Sequence, residues 1–330
     1  MIIHHLIIHN VKRDDTGKFA PVKRQYEIKT GPKEMEFIEK LLEIYQHKSN
    51  PAYGVFDADA TAYPYQIFIK DFLATKITFK RLSELAVDLL IEQLTNTKNA
   101  TGGYFLVINY TKDRNDFMGI IMLNNTSSFD IDETKLEIVK TFILDIDKMD
   151  VANIVNLSKW KQKAKTYLTF TKGRKALSNY FLKFIGCTEL NDSKYFSQNL
   201  KTAFNDFLIE KNLSEKERVA LKMNAYGYFE EKTKAGKDIT IKELANTVYK
   251  EDPGELIKFI TKDGYEINPT IHCDISVFKD YQFIHFSRSD LSFKFHRSLL
   301  DNGTITYNKQ KKAITIHSLD QSVIDQIEEA

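Results

Sequence analysis

Eight basic side chains lie in a segment of 38 residues, 151–188, that contains no aspartate or glutamate. We call it the basic segment, and its cations are Lys159, Lys161, Lys163, Lys165, Lys172, Arg174, Lys175 and Lys183. The whole chain has 47 lysine and arginine residues against 45 aspartate and glutamate residues, so this is local segregation of charge. Such a segment offers several contacts to a polyanion, for example the phosphate backbone of a nucleic acid.

The first part of the basic segment alternates lysines with uncharged residues. Lys159, Lys161, Lys163 and Lys165 share one face if the chain is extended there, and they spread around the axis if it is helical. In both cases they lie beside Trp160, a side chain able to stack or to anchor. This part is our first candidate for DNA contact.

The second candidate is the turn that follows. Gly173 lies among Lys172, Arg174 and Lys175, at the predicted start of a helix that runs to about Ile185. Backbone amides at a helix N-terminus favour anions, so this turn is suited to a phosphate. The alternative is a solvated turn and a charged helix face. The lack of acids favours the polyanion, because solvated faces usually mix both signs, but nothing in the pattern indicates base readout.

A third basic group lies near the C-terminus. Lys309, Lys311 and Lys312 occupy a predicted turn in a β region that also contains Phe293 and Phe295. Aromatic and basic side chains on a sheet can bind single strands by stacking. The alternation also fits a strand with one apolar and one polar face. We therefore predict only a secondary DNA contact at the three lysines.

A helix-turn-helix is a further alternative for DNA recognition. Residues 239–249 and 255–261 form a predicted helix pair with a short turn. The second helix offers Glu255, Lys258 and Lys262, a weak set for reading base edges. Plain packing of a helical hairpin is the favoured interpretation.

Catalysis would depend on clustered carboxylates. Asp57 with Asp59, and Asp130 with Asp132, could in principle hold a divalent ion that activates water, as in a metal-dependent nuclease. Aspartates are equally common in turns, where they cap backbone amides. No glycine-rich phosphate loop, serine nucleophile elbow or Cys–His pair is present. The sequence therefore predicts no catalytic residue, no metal site and no cofactor.

Composition limits the class of protein. The two cysteines, Cys187 and Cys273, suit a reducing cytosol, and no apolar stretch approaches the roughly 18 residues of a membrane span. The N-terminus lacks the features of a signal peptide. Residues 1–150 carry 19 basic and 22 acidic side chains, a net charge of 19 − 22 = −3, and residues 151–330 carry 28 − 23 = +5. A nucleic-acid surface is expected in the second half of a cytoplasmic protein that has no membrane partner.

The elements that position these residues predict an α+β fold. An N-terminal mixed sheet-and-helix domain, 1–150, contains a helix at about 64–95 with a candidate break near 75–78, and a hairpin of strands 104–110 and 117–123. Residues 151–330 form a basic C-terminal domain, with a helical region followed by an antiparallel β-meander. Capping boxes at Ser214 and Thr240 predict two helix starts.

Several short runs carry a family resemblance. Residues 167–174, Tyr-Leu-Thr-Phe-Thr-Lys-Gly-Arg, and residues 50–56, Asn-Pro-Ala-Tyr-Gly-Val-Phe, resemble signatures of the bacterial nucleoid-associated proteins of the NdpA (YejK) family. Gly102-Gly103-Tyr104 and the run from Leu144-Asp145-Ile146 to Trp160 are similar to further elements of that family, in the same order. Beyond about residue 200 the likeness rests on pattern and length.

The resemblance implies a cytoplasmic, nucleoid-located protein that binds double-stranded DNA, with type II topoisomerases as candidate partners and no enzymatic motif. We therefore predict a non-enzymatic protein that holds DNA mainly by its phosphates, and a homodimer is the expected assembly for a DNA-bridging protein. Two alternatives stay open. One is an adaptor that docks a topoisomerase or another DNA-bound protein, and the other is a metal-dependent nuclease, for example in phage defence.

Overall fold

The computed structural model describes residues 1–47, 51–95, 102–147, 149, 151–171, 175–262 and 264–329. The chain forms two compact units. Unit 1 comprises Met1–Asp192 and Ile257–Pro269, and unit 2 comprises Ser193–Leu256 and Thr270–Ala330. The boundary predicted at residue 150 falls between two successive strands of unit 1, and independent folding of residues 1–150 stays a prediction.

Unit 1 is built on one antiparallel sheet of nine strands. These are β1 (Ile2–Arg13), β2 (Phe19–Val22), β3 (Ala52–Phe56), β4 (Gly103–Lys112), β5 (Asn115–Asp132), β6 (Glu137–Asp145), β7 (Val151–Asn156), β8 (Leu168–Phe170) and β9 (Cys187–Glu189). The order across the sheet is β2-β1-β4-β5-β7-β8-β3-β9, and β6 pairs with the distal part of β5. The basic segment thus enters the sheet at β7 and β8.

Helices cover both faces of this sheet. They are α1 (Pro32–His47), α2 (Tyr65–Leu73), α3 (Phe79–Thr95), α4 (Leu157–Lys161) and α5 (Lys175–Ile185). Leu106 and Ile108 of β4 pack in one core with Leu41 of α1, whereas Phe105 and Val107 pack in a second core with α2, α3 and α5. Successive side chains of a strand point to opposite faces, so a strand covered on both faces is apolar throughout.

Local signals predicted several of these elements. The helix expected at 64–95 is present as α2 and α3, and Thr75, with φ of 56°, lies at the expected break. The expected hairpin is β4–β5, turned by Asp113 and Arg114 in the left-handed region. The prediction of a strand at about 22–29 is wrong, since β2 ends at Val22. The backbone N–H of Arg24 donates to the His9 ring and does not continue the β1–β2 ladder.

Unit 2 combines helices with short hairpins. Its elements are α6 (Ser193–Glu210), α7 (Glu215–Lys234), β10 (Ile239–Thr240), α8 (Ile241–Val248), β11 (Thr270–Ile271), a 3-10 helix (Ile275–Phe278), α10 (Lys279–Gln282), β12 (Phe283–Arg288), β13 (Leu291–His296), α11 (Ser298–Asp301), β14 (Ile305–Asn308), β15 (Ala313–Ile316) and α12 (Gln321–Glu328). Helix α9 (Pro253–Ile260) carries the chain from unit 2 back to unit 1. The C-terminal strands form separate antiparallel hairpins, β12–β13 and β14–β15. The predicted α+β class is confirmed.

The predicted helix starts are also present. Ser214 accepts from the Glu217 amide while the Glu217 carboxylate accepts from the Ser214 amide, which is a capping box. Thr240 accepts from the Glu243 amide at the start of α8. These caps satisfy backbone groups that a helix end otherwise leaves unpaired.

Candidate nucleic-acid interface

Much of the basic segment is core. All five residues from Val151 to Val155 in β7 are buried, as are Leu168 and Phe170 in β8. A carboxylate at these positions would be buried without a partner, at a large cost in free energy. Burial therefore explains why much of the basic segment contains no aspartate or glutamate. Among the residues before the predicted phosphate turn, the argument for a DNA-binding surface rests on residues 157–167.

The four lysines of this region lie on one short helix and the turn behind it. The Asn156 side chain caps α4 by accepting from the Lys159 amide at 2.9 Å. Helix α4 ends at Lys161, and Lys163, with φ of 54°, reverses the chain. Neither an extended run nor a long helix is present, so the lysines are displayed around a compact loop.

Trp160 anchors this loop to the core of unit 1. Its ring lies 4.8 Å from the Phe56 ring and stacks on Tyr167 at 5.8 Å between centroids, with 23° between the planes. The Lys70 ammonium lies 5.4 Å from the Trp160 centroid, within the range of a cation–π contact. The side chain is half-buried, so anchoring is its first role.

Two of the lysines have acidic partners. Lys159 forms an ion pair with Glu266, which also accepts from the Thr166 hydroxyl. Lys165 Nζ lies 2.5 Å from Asp192 Oδ2. Glu266 is 107 residues from Lys159 in sequence, so the charge pattern contained no sign of this neutralisation.

The other two lysines of this loop remain available for contact with an anionic partner. Lys161 and Lys163 are exposed, and among the described residues neither has an acidic partner. Lys161 lines a groove of about 1150 Å³ together with Lys70, Trp160 and His4. Sequence analysis did not identify Lys70. It lies on α2, far from Lys161 in the sequence, and nothing distinguishes it from other lysines on an amphipathic helix. The structure therefore brings two cations, Lys70 and Lys161, to this groove, and Lys163 is exposed two residues further along the same loop.

The predicted phosphate turn is only partly visible. Lys172, Gly173 and Arg174 lie outside the described residues, and Lys175 is the first residue of α5. A contact of this turn with DNA stays a prediction.

The residues just before that turn have structural partners. The Phe56 amide donates to Tyr167 Oη at 3.0 Å, and the Ala152 amide donates to Thr171 Oγ1 at 3.0 Å. Tyr45 donates to Thr169 Oγ1 at 2.9 Å, and burial holds the pKa of Tyr45 well above its ordinary value, so it stays a donor. Residues 167–171 therefore hold the sheet together.

The C-terminal basic group lies on a hairpin of unit 2. Lys309, Lys311 and Lys312 are exposed in the turn between β14 and β15. The Lys311 amide donates to Asn308 Oδ1 at 2.9 Å, and Lys312 has φ of 51°. The turn is thus fixed by local hydrogen bonding while the ammonium groups face solvent.

The clustered carboxylates cap turns. Asp59 Oδ1 accepts from the amides of Thr61 and Ala62, and Asp132 Oδ1 accepts from those of Thr134 and Lys135. In the part of the chain that the structure describes, no three His, Cys, Asp or Glu side chains come together as metal ligands. Each described helix is too short or too polar to traverse a bilayer.

The fold is that of an α+β protein, with an antiparallel sheet covered by helices. Its exposed basic loop can bind an anionic partner. The chain belongs to the nucleoid-associated protein YejK family, NA37, whose model matches residues 7–324. Nucleoid-associated proteins of Metapseudomonas resinovorans and Pseudomonas entomophila (strain L48) are each 26% identical over 332 residues. The alignments cover 99% of this chain and 99% and 98% of these relatives.

The resemblance seen in the short motifs is therefore confirmed, and it extends through the C-terminal half. Membership points to the bacterial nucleoid, in the cytoplasm, as the location of this protein. The motif glycines have a packing reason. A Cβ on Gly54 would lie 2.5 Å from the Thr188 carbonyl oxygen, and one on Gly102 would lie 2.0 Å from that of Val11. These motifs mark close approaches of strands in the sheet.

Proposed function

We propose that this protein binds double-stranded DNA at the nucleoid through phosphate contacts and without catalysis. The observation that supports this most directly is the pair of exposed cations, Lys161 and Lys163, on a loop that contains no acid. Lys70 adds a third cation at the adjoining groove. The family relationship supports a nucleoid role.

Phosphate contact is favoured over base readout by the kind of element involved. Helix α4 has five residues and is anchored by Trp160, so it offers no long helix for the major groove. Lysine ammonium groups suit phosphates as point charges. Lys172, Arg174 and Lys175, and the hairpin lysines Lys309, Lys311 and Lys312, are proposed as additional contacts.

Lys159 and Lys165 receive a different role in this proposal. Their ion pairs with Glu266 and Asp192 hold the loop in place, and each pair is nearly neutral as a unit. We propose that they position Lys161 and Lys163 more than they contact DNA.

Salt dependence of duplex binding tests the proposal. Replacing Lys161 and Lys163 by glutamine removes two charges and keeps most of each side chain. Each lost phosphate contact lowers the slope of log affinity against log salt by about 0.9, so the double variant should lose about 1–2 in slope. Lys33→Gln with Lys40→Gln, two exposed lysines on α1, is the matched control and should keep the slope.

The outcomes separate the alternatives. A flat salt dependence of the wild-type protein would refute phosphate binding, and an unchanged slope in the double variant would move the site elsewhere. Cleavage of plasmid DNA with magnesium or manganese would support the nuclease. A topoisomerase retained after nuclease treatment of the lysate would support the adaptor.

A further inference from the structure

A pocket of about 310 Å³ in unit 2 is lined mainly by basic side chains. Its lining consists of Glu215, Arg218, Val219, Lys222, Tyr281 and Arg297. Arg218 and Lys222 lie one turn apart on α7. Tyr281 belongs to α10, and Arg297 lies between β13 and α11. Elements far apart in sequence thus bring three cations to one concave site, and no run of charge along the chain indicates it.

The three cations of this pocket lack acidic partners. Within the described residues, Arg218, Lys222 and Arg297 form no ion pair. The neighbouring Asp280 is paired with Lys201, whose Nζ lies 2.7 Å from Asp280 Oδ1. The single acid of the lining is the exposed Glu215. Three positive charges against one negative charge leave the pocket with an excess of two positive charges.

Burial makes this excess of charge costly. All three cations are half-buried, and Arg218 and Lys222 are like charges four residues apart on one helix face. Burial lowers the pKa of Lys222, and the positive charges of Arg297, Lys201 and Arg218 lower it further, whereas Asp280 raises it. An anion held between these cations would offset both the desolvation and the mutual repulsion.

The Tyr281 ring forms a rigid wall of the pocket. The ring is 1% exposed, and its hydroxyl donates to Asn205 Oδ1 at 3.3 Å. Lys222 Nζ lies 5.3 Å from the ring centroid, and Lys201 Nζ lies 5.8 Å from it, both within the range of a cation–π contact. The Lys222 ammonium is therefore held in place before a ligand binds, which lowers the entropic cost of binding.

We propose that this pocket binds a phosphate monoester or diphosphate group of a small molecule. A terminal phosphate carries about two negative charges at neutral pH, which matches the excess charge of the pocket. The guanidinium groups of Arg218 and Arg297 suit the oxygens of such a group, because each can donate two parallel hydrogen bonds. A volume of about 310 Å³ lies at the lower end of the range for small-ligand sites.

Duplex DNA fits this pocket less well. Each phosphodiester of a DNA backbone carries a single negative charge, and the charges are spread along the duplex. Half-buried cations that converge in a pocket favour one compact, multiply charged group instead. The pocket lies in unit 2, whereas the loop that we propose for DNA binding, with Lys161 and Lys163, lies in unit 1.

Isothermal titration calorimetry of the full chain tests the proposal. At constant ionic strength, pyrophosphate should bind more tightly than inorganic phosphate, and the singly charged dimethyl phosphate should bind most weakly. Arg218→Gln with Arg297→Gln should weaken pyrophosphate binding about 100-fold, at about 10-fold for each lost guanidinium. Lys216→Gln with Lys242→Gln, two exposed lysines on α7 and α8, removes the same charge and should keep the affinity.

Thermal unfolding gives a second readout. Pyrophosphate should raise the melting temperature of the wild-type chain, because it binds the folded state alone. Lys222→Met removes the charge and keeps the length of the side chain, and it should lose most of this rise. The rise is measured against the same variant without pyrophosphate, so a change in the intrinsic stability of the variant does not affect the comparison.

A short DNA duplex separates the two sources of phosphate. The duplex should not displace pyrophosphate, and Arg218→Gln with Arg297→Gln should keep the salt slope of DNA binding. Lys161→Gln with Lys163→Gln should keep the affinity for pyrophosphate, so the pocket and the DNA-binding loop can fail independently. Absence of pyrophosphate binding, equal affinity for the three anions, an unchanged affinity in the double arginine variant, or displacement by the duplex would each overturn the proposal.

Discussion

A buried histidine should make the stability of unit 1 depend on pH. His9 of β1 is fully buried and accepts at Nδ1 from the Arg24 amide, at 3.1 Å. Its Nε2 therefore carries the proton and donates to Ser83 Oγ at 2.9 Å, and the Ser83 hydroxyl donates to the Lys80 carbonyl at 2.7 Å. The donors and acceptors match only while the ring is neutral, because a proton on Nδ1 would face the Arg24 N–H.

The size of the effect follows from the shift in pKa. Burial lowers the pKa of His9 from the ordinary 6.5 to about 4. Below pH 6.5 the unfolded chain therefore binds a proton that the folded chain rejects. The stability present above pH 6.5 is lost as the pH falls towards 4. At about 1.4 kcal/mol per unit, the loss should reach about 3 kcal/mol.

The assay follows Trp160, the single tryptophan of the chain, which lies in unit 1 with His9. Urea unfolding monitored by its fluorescence should give a free energy of unfolding that falls between pH 6.5 and 4.5. His9→Phe should be less stable at pH 7, because the Arg24 amide loses its acceptor, and should show a shallower pH dependence. Ser83→Ala keeps the imidazole and should keep the slope. Constant wild-type stability over this range, or an equal slope in His9→Phe, would refute the reasoning.

Two further predictions concern the sheet and its basic loop. Gly54→Ala should destabilise unit 1 by about 1–3 kcal/mol, because its Cβ would lie 2.5 Å from the Thr188 carbonyl oxygen. Urea unfolding measures this, and Gly227→Ala, with open space around the new Cβ in α7, should cause no loss. Glu266→Gln removes the acid paired with Lys159 and should raise the salt slope of DNA binding, because the charge of Lys159 is then no longer neutralised, while costing about 1–3 kcal/mol of stability. An unchanged salt slope in that variant would show that Glu266 does not neutralise Lys159.

Elements governed by neighbouring residues were predictable. The break between α2 and α3, the β4–β5 hairpin and the Ser214 capping box each depend on a few residues close in sequence. The end of β2 was not predictable from neighbouring residues. The Arg24 amide donates to the ring of His9, which lies on another strand, so the strand expected at about 22–29 does not form. The pairing of residues 124–132 of β5 with β6 alone, among the described residues, was missed, since strand periodicity does not tell which strands lack further neighbours.

The sequence by itself determined the segregation of charge into residues 151–188 and the family of the chain. Only the tertiary structure decided which cations face solvent. Folding buries β7 and β8 and brings Glu266 and Asp192 to Lys159 and Lys165. Lys161 and Lys163 stay exposed, and Lys161 shares a groove with Lys70. The segregation of charge is set by the order of residues along the chain. Whether a charge is neutralised depends instead on its distance from opposite charges that can lie far away in that order.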